Sequence, residues 1–322
     1  MKGLLGRVLL GVAAGVAVYV GFSVWANARE VGHALDRFWW RTAAAAAGLA
    51  AVNYAVRWLR WEYYLGRLGL RREIGTRDSV LVFLAGFALT VTPGKLGEAV
   101  KALLLRQSHG IPAARTAPIV VAERITDLIG LLLLTMLGVF SFHIDRRFLV
   151  AGALCVGLGL LVIGNGTVAA FFLALVERVR PLARFVPKAR EFLATARVLL
   201  HPGALGVTCA LATLAWFFEC LAFWVVVHGF PGAGLGLEAA IFIYASMTIA
   251  GALSFLPGGL GITEAGMLAM LSTFGTGVNR GTATAATFVT RAATLWFAVA
   301  LGLVAMSLYA HRRALPAPPS RS

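Results

Sequence analysis

Leu89-Thr90-Val91-Thr92-Pro93-Gly94-Lys95-Leu96-Gly97-Glu98-Ala99 is the stretch whose reading decides the fold. It sets a helix-breaking Pro-Gly, a lysine and a carboxylate between flanks apolar enough to lie in lipid. The same wording returns as Leu253-Ser254-Phe255-Leu256-Pro257-Gly258-Gly259-Leu260-Gly261-Ile262-Thr263-Glu264-Ala265. Pairing Pro93 with Pro257 and Glu98 with Glu264 gives an offset of 164 to 166 residues, close to half of a 322-residue chain. Self-similarity at that spacing predicts an internal duplication, repeat 1 over 1–145 and repeat 2 over 146–310, with a disordered tail at 311–322.

Composition fixes the solvent. With 59% hydrophobic and 13% charged residues and a mean hydropathy of +0.82, the chain has too little polar surface for a soluble domain of this size and reads as an all-α polytopic membrane protein. Six windows reach the roughly 20 residues a spanning helix needs: Leu4 to Ala26, Arg41 to Trp61, Ala117 to Ser141, Phe148 to Val176, Ala204 to His228 and Ala283 to Tyr309. Lys2, Arg7 and Ala26-Asn27-Ala28 imitate a cleavable secretory signal. The duplication needs a first helix to match the one near Phe148, so retention is expected.

Neither motif-bearing segment is long enough to cross. From Asp78 the chain is apolar for about fourteen residues before Thr92-Pro93-Gly94, short of ~30 Å of hydrocarbon at 1.5 Å per residue. Residues 79–106 and 237–274 are therefore expected to form re-entrant helical hairpins; a single kinked crossing is the alternative for the first. In that topology, with both termini cytoplasmic, 20 Lys and Arg fall inside, including Arg57, Arg60 and Lys101, against 6 outside, while Lys95, Arg124 and Arg291 stay in the membrane. This satisfies the positive-inside rule. The two hairpins then enter from opposite faces, making the halves inverted repeats, an arrangement that puts substrate sites near the midplane. Residues 176–200 interleave six basic residues with Val179, Leu182, Phe185, Phe192 and Leu193, the pattern of an interfacial amphipathic segment.

The net charge of +15 lies between apolar windows rather than on one polar face, so it argues topology and not nucleic acid. Cys155, Cys209 and Cys220 sit in apolar helices without pairing spacing, and the six histidines fall in loops or at helix ends. Neither a metal nor a cofactor is expected. There is no GxxxxGK[ST], HExxH or GxSxG, which leaves an intramembrane enzyme without a nucleophile.

Two features point to an anion. Each Pro-Gly loop ends one half-helix and starts another, exposing backbone N–H groups and a positive dipole end at Pro93, Gly94 and Gly97 and at Pro257, Gly258, Gly259 and Gly261. Around them stand Lys95, Glu98, Glu123, Arg124, Asp127, Glu219, Glu264 and Arg291, ionisable groups that are expensive in spanning segments and mark functional cavities. Arg124 and Arg291 match across the duplication at 167, Asn53 and Glu219 at 166. The arginine fork suits phosphate oxygens. The plainer alternative is that Glu98, Asp127, Glu219 and Glu264 simply neutralise Lys95, Arg124 and Arg291 as structural ion pairs.

Thr92-Pro93-Gly94-Lys95-Leu96-Gly97-Glu98, Glu123-Arg124 with Asp127, Leu256-Pro257-Gly258-Gly259-Leu260-Gly261 followed by Glu264, and Arg291 together resemble the flippase-like family named after the transmembrane region of lysylphosphatidylglycerol synthase. The resemblance covers nearly the whole chain. It implies movement of a phospholipid or other lipid-linked anion between leaflets of a bacterial inner membrane. The soluble aminoacyl-transfer domain of the full-length synthase is not in this sequence, so lipid lysinylation is not expected. The alternatives are a non-transporting membrane subunit recruiting a synthase or glycosyltransferase through 57–77 and 178–197, and, last, an enzyme acting on lipid phosphates. A homo-oligomer is compatible with each.

Overall fold

The computed structural model describes residues 28–91, 100–142, 147–165 and 186–314, with residues 21, 167, 168, 170, 171 and 177 besides. The first helix, most of the basic segment before 186, and the tip of the first hairpin with Pro93, Gly94, Lys95, Gly97 and Glu98 lie outside the described residues.

Helices make up the fold. α1 is Ala28–Asp36 and α2 Trp40–Arg67. α3, Thr76–Ala85, tightens into a 3-10 turn at Gly86–Leu89, and α4 is Val100–His109. α5, Ala113–Phe142, and α6, Arg147–Gly164, follow. α7 is Val186–Leu199 and α8 Pro202–Val227, the latter opened by a proline whose missing N–H is harmless in the first turn. α9 is Leu237–Leu253, then comes a 3-10 turn at Pro257–Gly259 and α10, Ile262–Phe274. α11, Arg280–Arg291, is capped by the Asn279 side chain, which accepts from the Thr282 N–H. It runs through a π turn at Ala292–Trp296 into α12, Phe297–Ala314. The only strand-like pairing among the described residues is the bridge between Gly234 and Thr276.

Three helical runs are long and apolar enough to cross a membrane: Ala113–Phe142, Pro202–Val227 and Arg280–Arg312. α2 has the length, 28 residues, but carries Arg57, Arg60, Glu62 and Arg67.

Arg57 and Arg60, read from sequence as part of a cytoplasmic run, both lie on α2, Arg57 half-buried. Arg60 is fully buried, its Nη2 lying 2.8 Å from Asp127 Oδ1 and its Nη1 donating to Thr126 Oγ1 at 3.1 Å. Lys101, counted from sequence on the cytoplasmic side, is buried with Nζ 2.5 Å from Glu123 Oε2. A partner on α5 explains each burial, because an interior charge persists only when paired.

Two helical hairpins return on themselves. At the base of α9 and α10, Gly234 and Thr276 exchange two backbone hydrogen bonds of 2.9 Å, which brings the segment before α9 beside the segment after α10. At the base of α3 and α4, Asp78 at one end faces His109 at the other, Oδ2 to Nε2 3.6 Å, and Gly86 packs on the Lys101 stem. α2 and α8 pack along each other, tied by Asn53 Nδ2 donating to the Ala215 carbonyl at 2.6 Å. Gly302 lets α12 lie on the first hairpin, where a Cβ would come within 2.2 Å of the Ala88 nitrogen. α7 covers part of α5 with Val186, Ala196 and Leu199 buried.

Candidate functional site

The second tip is held from below by a carboxylate and from the side by a guanidinium. Gly258, Gly259 and Gly261 have φ of 62°, 69° and 90°, the left-handed region that glycine enters without steric cost. Glu264, three residues into the following helix turn, accepts the Gly261 N–H on Oε2 at 2.7 Å and Arg291 Nε on Oε1 at 2.7 Å. The same arginine donates Nη2 to the Gly258 carbonyl at 2.8 Å. One fork therefore grips both sides of the turn, which a point-like ammonium would not do.

Above this clasp is an inner cavity of about 70 Å³, bounded by Tyr54 and Arg57 of α2, Phe87 and Thr90 of the first hairpin, Trp216 and Glu219 of α8, Tyr244 of α9, Gly258 and Gly259, and Arg291 and Thr294. Both hairpins and three long helical runs contribute. The Arg57 guanidinium lies 5.1 Å from the Phe87 ring centre and 5.9 Å from that of Trp216, a cation–π seat that orients the charge. Tyr244 donates to Glu219 Oε2 at 2.6 Å, and Tyr54 donates to the Thr294 carbonyl at 2.6 Å. That carbonyl belongs to the π turn, where the helical ladder is interrupted and backbone groups are released.

An outer cavity of about 210 Å³ adjoins the first. Arg124 and Asp127 stand on one wall, and Leu128, Leu131, Ile249, Leu253, Phe255 and Leu256 supply the rest of its character. Trp216, Thr248, Gly251, Ala252 and Gly259 border both spaces. Asp127 joins Arg60 at 2.8 Å and Arg124 Nη2 at 3.3 Å. Phe255, 72% exposed and at φ 54°, is a non-glycine residue in the left-handed region, a cost that concentrates at functional turns.

Of the residues expected from sequence, Glu219, Gly258, Gly259 and Arg291 gather on the inner cavity. Arg124 and Asp127 gather on the outer one, so the two matched arginines do not share a single space. Glu264 lies behind Arg291, and Pro257 and Gly261 shape the turn. Of the ion-pair alternative, Glu264–Arg291 and Asp127–Arg124 are in contact; Lys101–Glu123 is a further pair that it did not include. Sequence reasoning missed Tyr54, Arg57, Thr90, Trp216 and Tyr244. Tyr54 and Arg57 stood within one turn of Asn53, which the duplication had already singled out, and helix spacing from that residue was the available signal.

Residues 12–302 match the family described as the lysylphosphatidylglycerol synthase TM region. A protein described as a UPF0104 membrane protein from Methanothermobacter thermautotrophicus is 26% identical over 317 residues, covering 92% of each chain. A second UPF0104 membrane protein of that organism is 26% identical over 283 residues, covering 78% of this chain and 80% of its own. The chain belongs to the lysylphosphatidylglycerol synthase transmembrane-region family.

Proposed function

We propose that this family member is a lipid translocator, moving an anionic phospholipid or lipid-linked phosphate between leaflets. The observation that carries the reading is the inner cavity itself: both hairpins border a space lined by Arg57 and Arg291, beside a larger, apolar-walled one. A phosphate held by arginine forks with its chains among Leu128, Leu131, Ile249, Leu253 and Leu256 would use both spaces. A protein that only anchors an enzyme would need neither.

In this reading the hairpins 79–106 and 237–274 are re-entrant and enter from opposite faces, and the halves 1–145 and 146–310 are inverted repeats. α2, α5, α6, α8 and α11–α12 with the first helix make six crossings, and both termini are cytoplasmic in a cell inner membrane. The recurrence of a long helix, a broken hairpin and a long helix in each half supports it, as does the lengthwise pairing of α2 with α8. Charged residues on α2 are compatible with a crossing because Arg60 and Glu62 are buried, and intramembrane charge is tolerated where it faces the bundle interior.

The test is transfer of a labelled anionic lipid in proteoliposomes. Arg57→Ala and Arg291→Ala are expected to abolish transfer that the unaltered protein supports, with Arg124→Ala slowing it. Equal transfer by all four proteins would reject the assignment. Purified protein that moves no lipid but captures a lipid-modifying enzyme through 57–77 or 178–197 would favour recruitment instead.

A further inference from the structure

Phe255 is the odd residue of the second tip. Gly258, Gly259 and Gly261 meet their positive φ with glycine, but position 255 holds a phenylalanine at φ 54°, a conformation that costs a side chain what it does not cost glycine. Ser254 is the C-cap of α9, so Phe255 stands at the position after the cap where glycine is the usual occupant. The turn is held from both sides: Ser254 Oγ donates to the Gly251 carbonyl at 2.7 Å and accepts the Leu256 N–H at 3.2 Å. Core packing does not account for the ring, which is 72% exposed. Phe255 nonetheless borders the outer cavity, so its ring stands where that cavity meets its surroundings. Leu253 and Leu256 are also exposed and border the same space, which makes one apolar lip on the hairpin side. On the α5 side, Leu128 continues the apolar wall and the half-buried Arg124 supplies a guanidinium.

Resting on the translocator reading, we infer that Phe255 is a positioning residue for the hydrocarbon chain of an anionic lipid: the chain lies across its ring at the lip of the outer cavity, with the charged head turned toward Arg124. A space with hydrocarbon on one rim and a guanidinium on the other fits an amphiphilic anion, and neither a free phosphate nor a neutral lipid uses both rims. The strained turn serves this by ending α9 and holding the ring at the mouth in one direction. From Arg124 the head has a short path inward, because Trp216, Thr248 and Gly259 border both the outer cavity and the inner one that Arg57 and Arg291 line. The competing account is an ordinary side chain facing the bilayer. Leu154 of α6 is such a residue, 69% exposed and bordering neither cavity, and a residue of that kind meets whatever lipid surrounds the protein.

The experiment places a photoreactive ring at each position, Phe255→p-benzoylphenylalanine and, separately, Leu154→p-benzoylphenylalanine, in the full chain. The proteins are held in nanodiscs of equal phosphatidylcholine and phosphatidylglycerol with identical chains. After illumination the adducts are identified by mass. Adducts at 255 are expected to favour phosphatidylglycerol by about ten-fold, the worth of one hydrogen bond to a charged group, while those at 154 follow the composition of the disc. Adding Arg124→Ala should remove most of the preference at 255 and leave 154 as it was. Elution and melting profiles establish that each variant is folded. Adducts at 255 in the disc's own ratio, a preference that Arg124→Ala does not touch, or adducts to protein instead of lipid each overturn the inference. Transfer of labelled lipid in proteoliposomes separates it from the reading on which it rests. Transfer with no preference at 255 overturns the inference and leaves translocation standing. The preference without any transfer overturns translocation and keeps Phe255 as the chain seat of a protein that binds anionic lipid.

Discussion

Val91 touches Gly258: a methyl group added to that glycine would sit 3.6 Å from the Val91 Cα. Val91 is the last described residue before the first Pro-Gly motif and Gly258 lies inside the second, so two segments separated by 167 positions in sequence converge. Leu260, Leu295 and Val299 close around them as a small apolar cluster. The inner cavity begins beside this contact, with Thr90 on one side and Gly258 on the other.

The glycines of the second tip should differ in what a side chain costs them. Gly258→Ala meets Leu295 and Val91 at an ordinary 3.5 Å and pays mainly for its φ of 62°, about 1–2 kcal/mol. Gly259→Ala adds a Cβ only 2.8 Å from Thr263 Oγ1 and 3.1 Å from the Gly251 Cα. Melting in detergent should rank Gly259→Ala clearly below Gly258→Ala. The reverse order would mean that the turn rearranges freely.

Arg291→Lys is expected to fail where a charge alone would suffice. Lysine keeps the sign but cannot serve Glu264 Oε1 and the Gly258 carbonyl from one planar group. Removing either partner of such a buried pair costs about 3–5 kcal/mol. Arg291→Lys and Glu264→Gln should both lower the melting temperature, and the double variant should lose less than the sum of the two. Additive losses would show that the pair does not act as a unit.

How much of this was readable beforehand depended on whether the cause was local. The apolar runs are local signals, and they led to the all-helical membrane class; the Pro-Gly-Gly break and the isolated charges Glu219 and Arg291 are local as well, and Gly258, Gly259, Glu219 and Arg291 border one space. The burial of Arg60 and Lys101 was not legible because each resembles its sequence neighbours, Arg57 to Arg77 or the short α4. The carboxylates that bury them are 67 and 22 positions away. The π turn after Arg291 contains no glycine or proline, so nothing in Ala292-Ala293-Thr294 announced a carbonyl free to meet Tyr54. Arg124 and Arg291 matched in sequence yet separated in space, since Trp216 stands between their cavities.

The Arg60–Asp127 pair offers a sharper test of what buried charge does here. Asp127→Ala alone strands the fully buried Arg60 guanidinium and should cost about 3–5 kcal/mol, whereas Arg60→Ala leaves Asp127 its 3.3 Å contact with Arg124 and should cost less. Replacing both together, Arg60→Met with Asp127→Leu, removes the stranded charge. It should cost less than Asp127→Ala alone, as read by thermal unfolding. If the double variant is the least stable of the three, the pair contributes net stabilisation that apolar packing does not replace.

Thr90 makes the opposite kind of prediction. Its hydroxyl oxygen is shielded from solvent, makes no hydrogen bond among the described residues and borders the inner cavity, so Thr90→Val removes a polar atom at nearly constant shape. Stability should hold or rise slightly, within about 1 kcal/mol. Binding of an anionic lipid should weaken about ten-fold, the worth of one hydrogen bond to a charged group. Unchanged binding would exclude this hydroxyl from headgroup contact.

Tyr54→Phe tests whether the π turn positions Arg291. The hydroxyl holds the Thr294 carbonyl at 2.6 Å, three residues after the arginine, and its loss leaves a buried carbonyl without that donor at a cost of about 0.5–1.5 kcal/mol. A released carbonyl should favour regular helix through Ala292–Trp296, and a change in winding would rotate Arg291 relative to α12 and loosen its grip on Gly258. Amide exchange over 292–300 should accelerate, and lipid affinity should fall although Tyr54 keeps its ring against Phe87 and Phe297. Faster exchange with unchanged affinity would separate the π turn from the site; unchanged exchange would mean that the turn is set by packing of its own side chains.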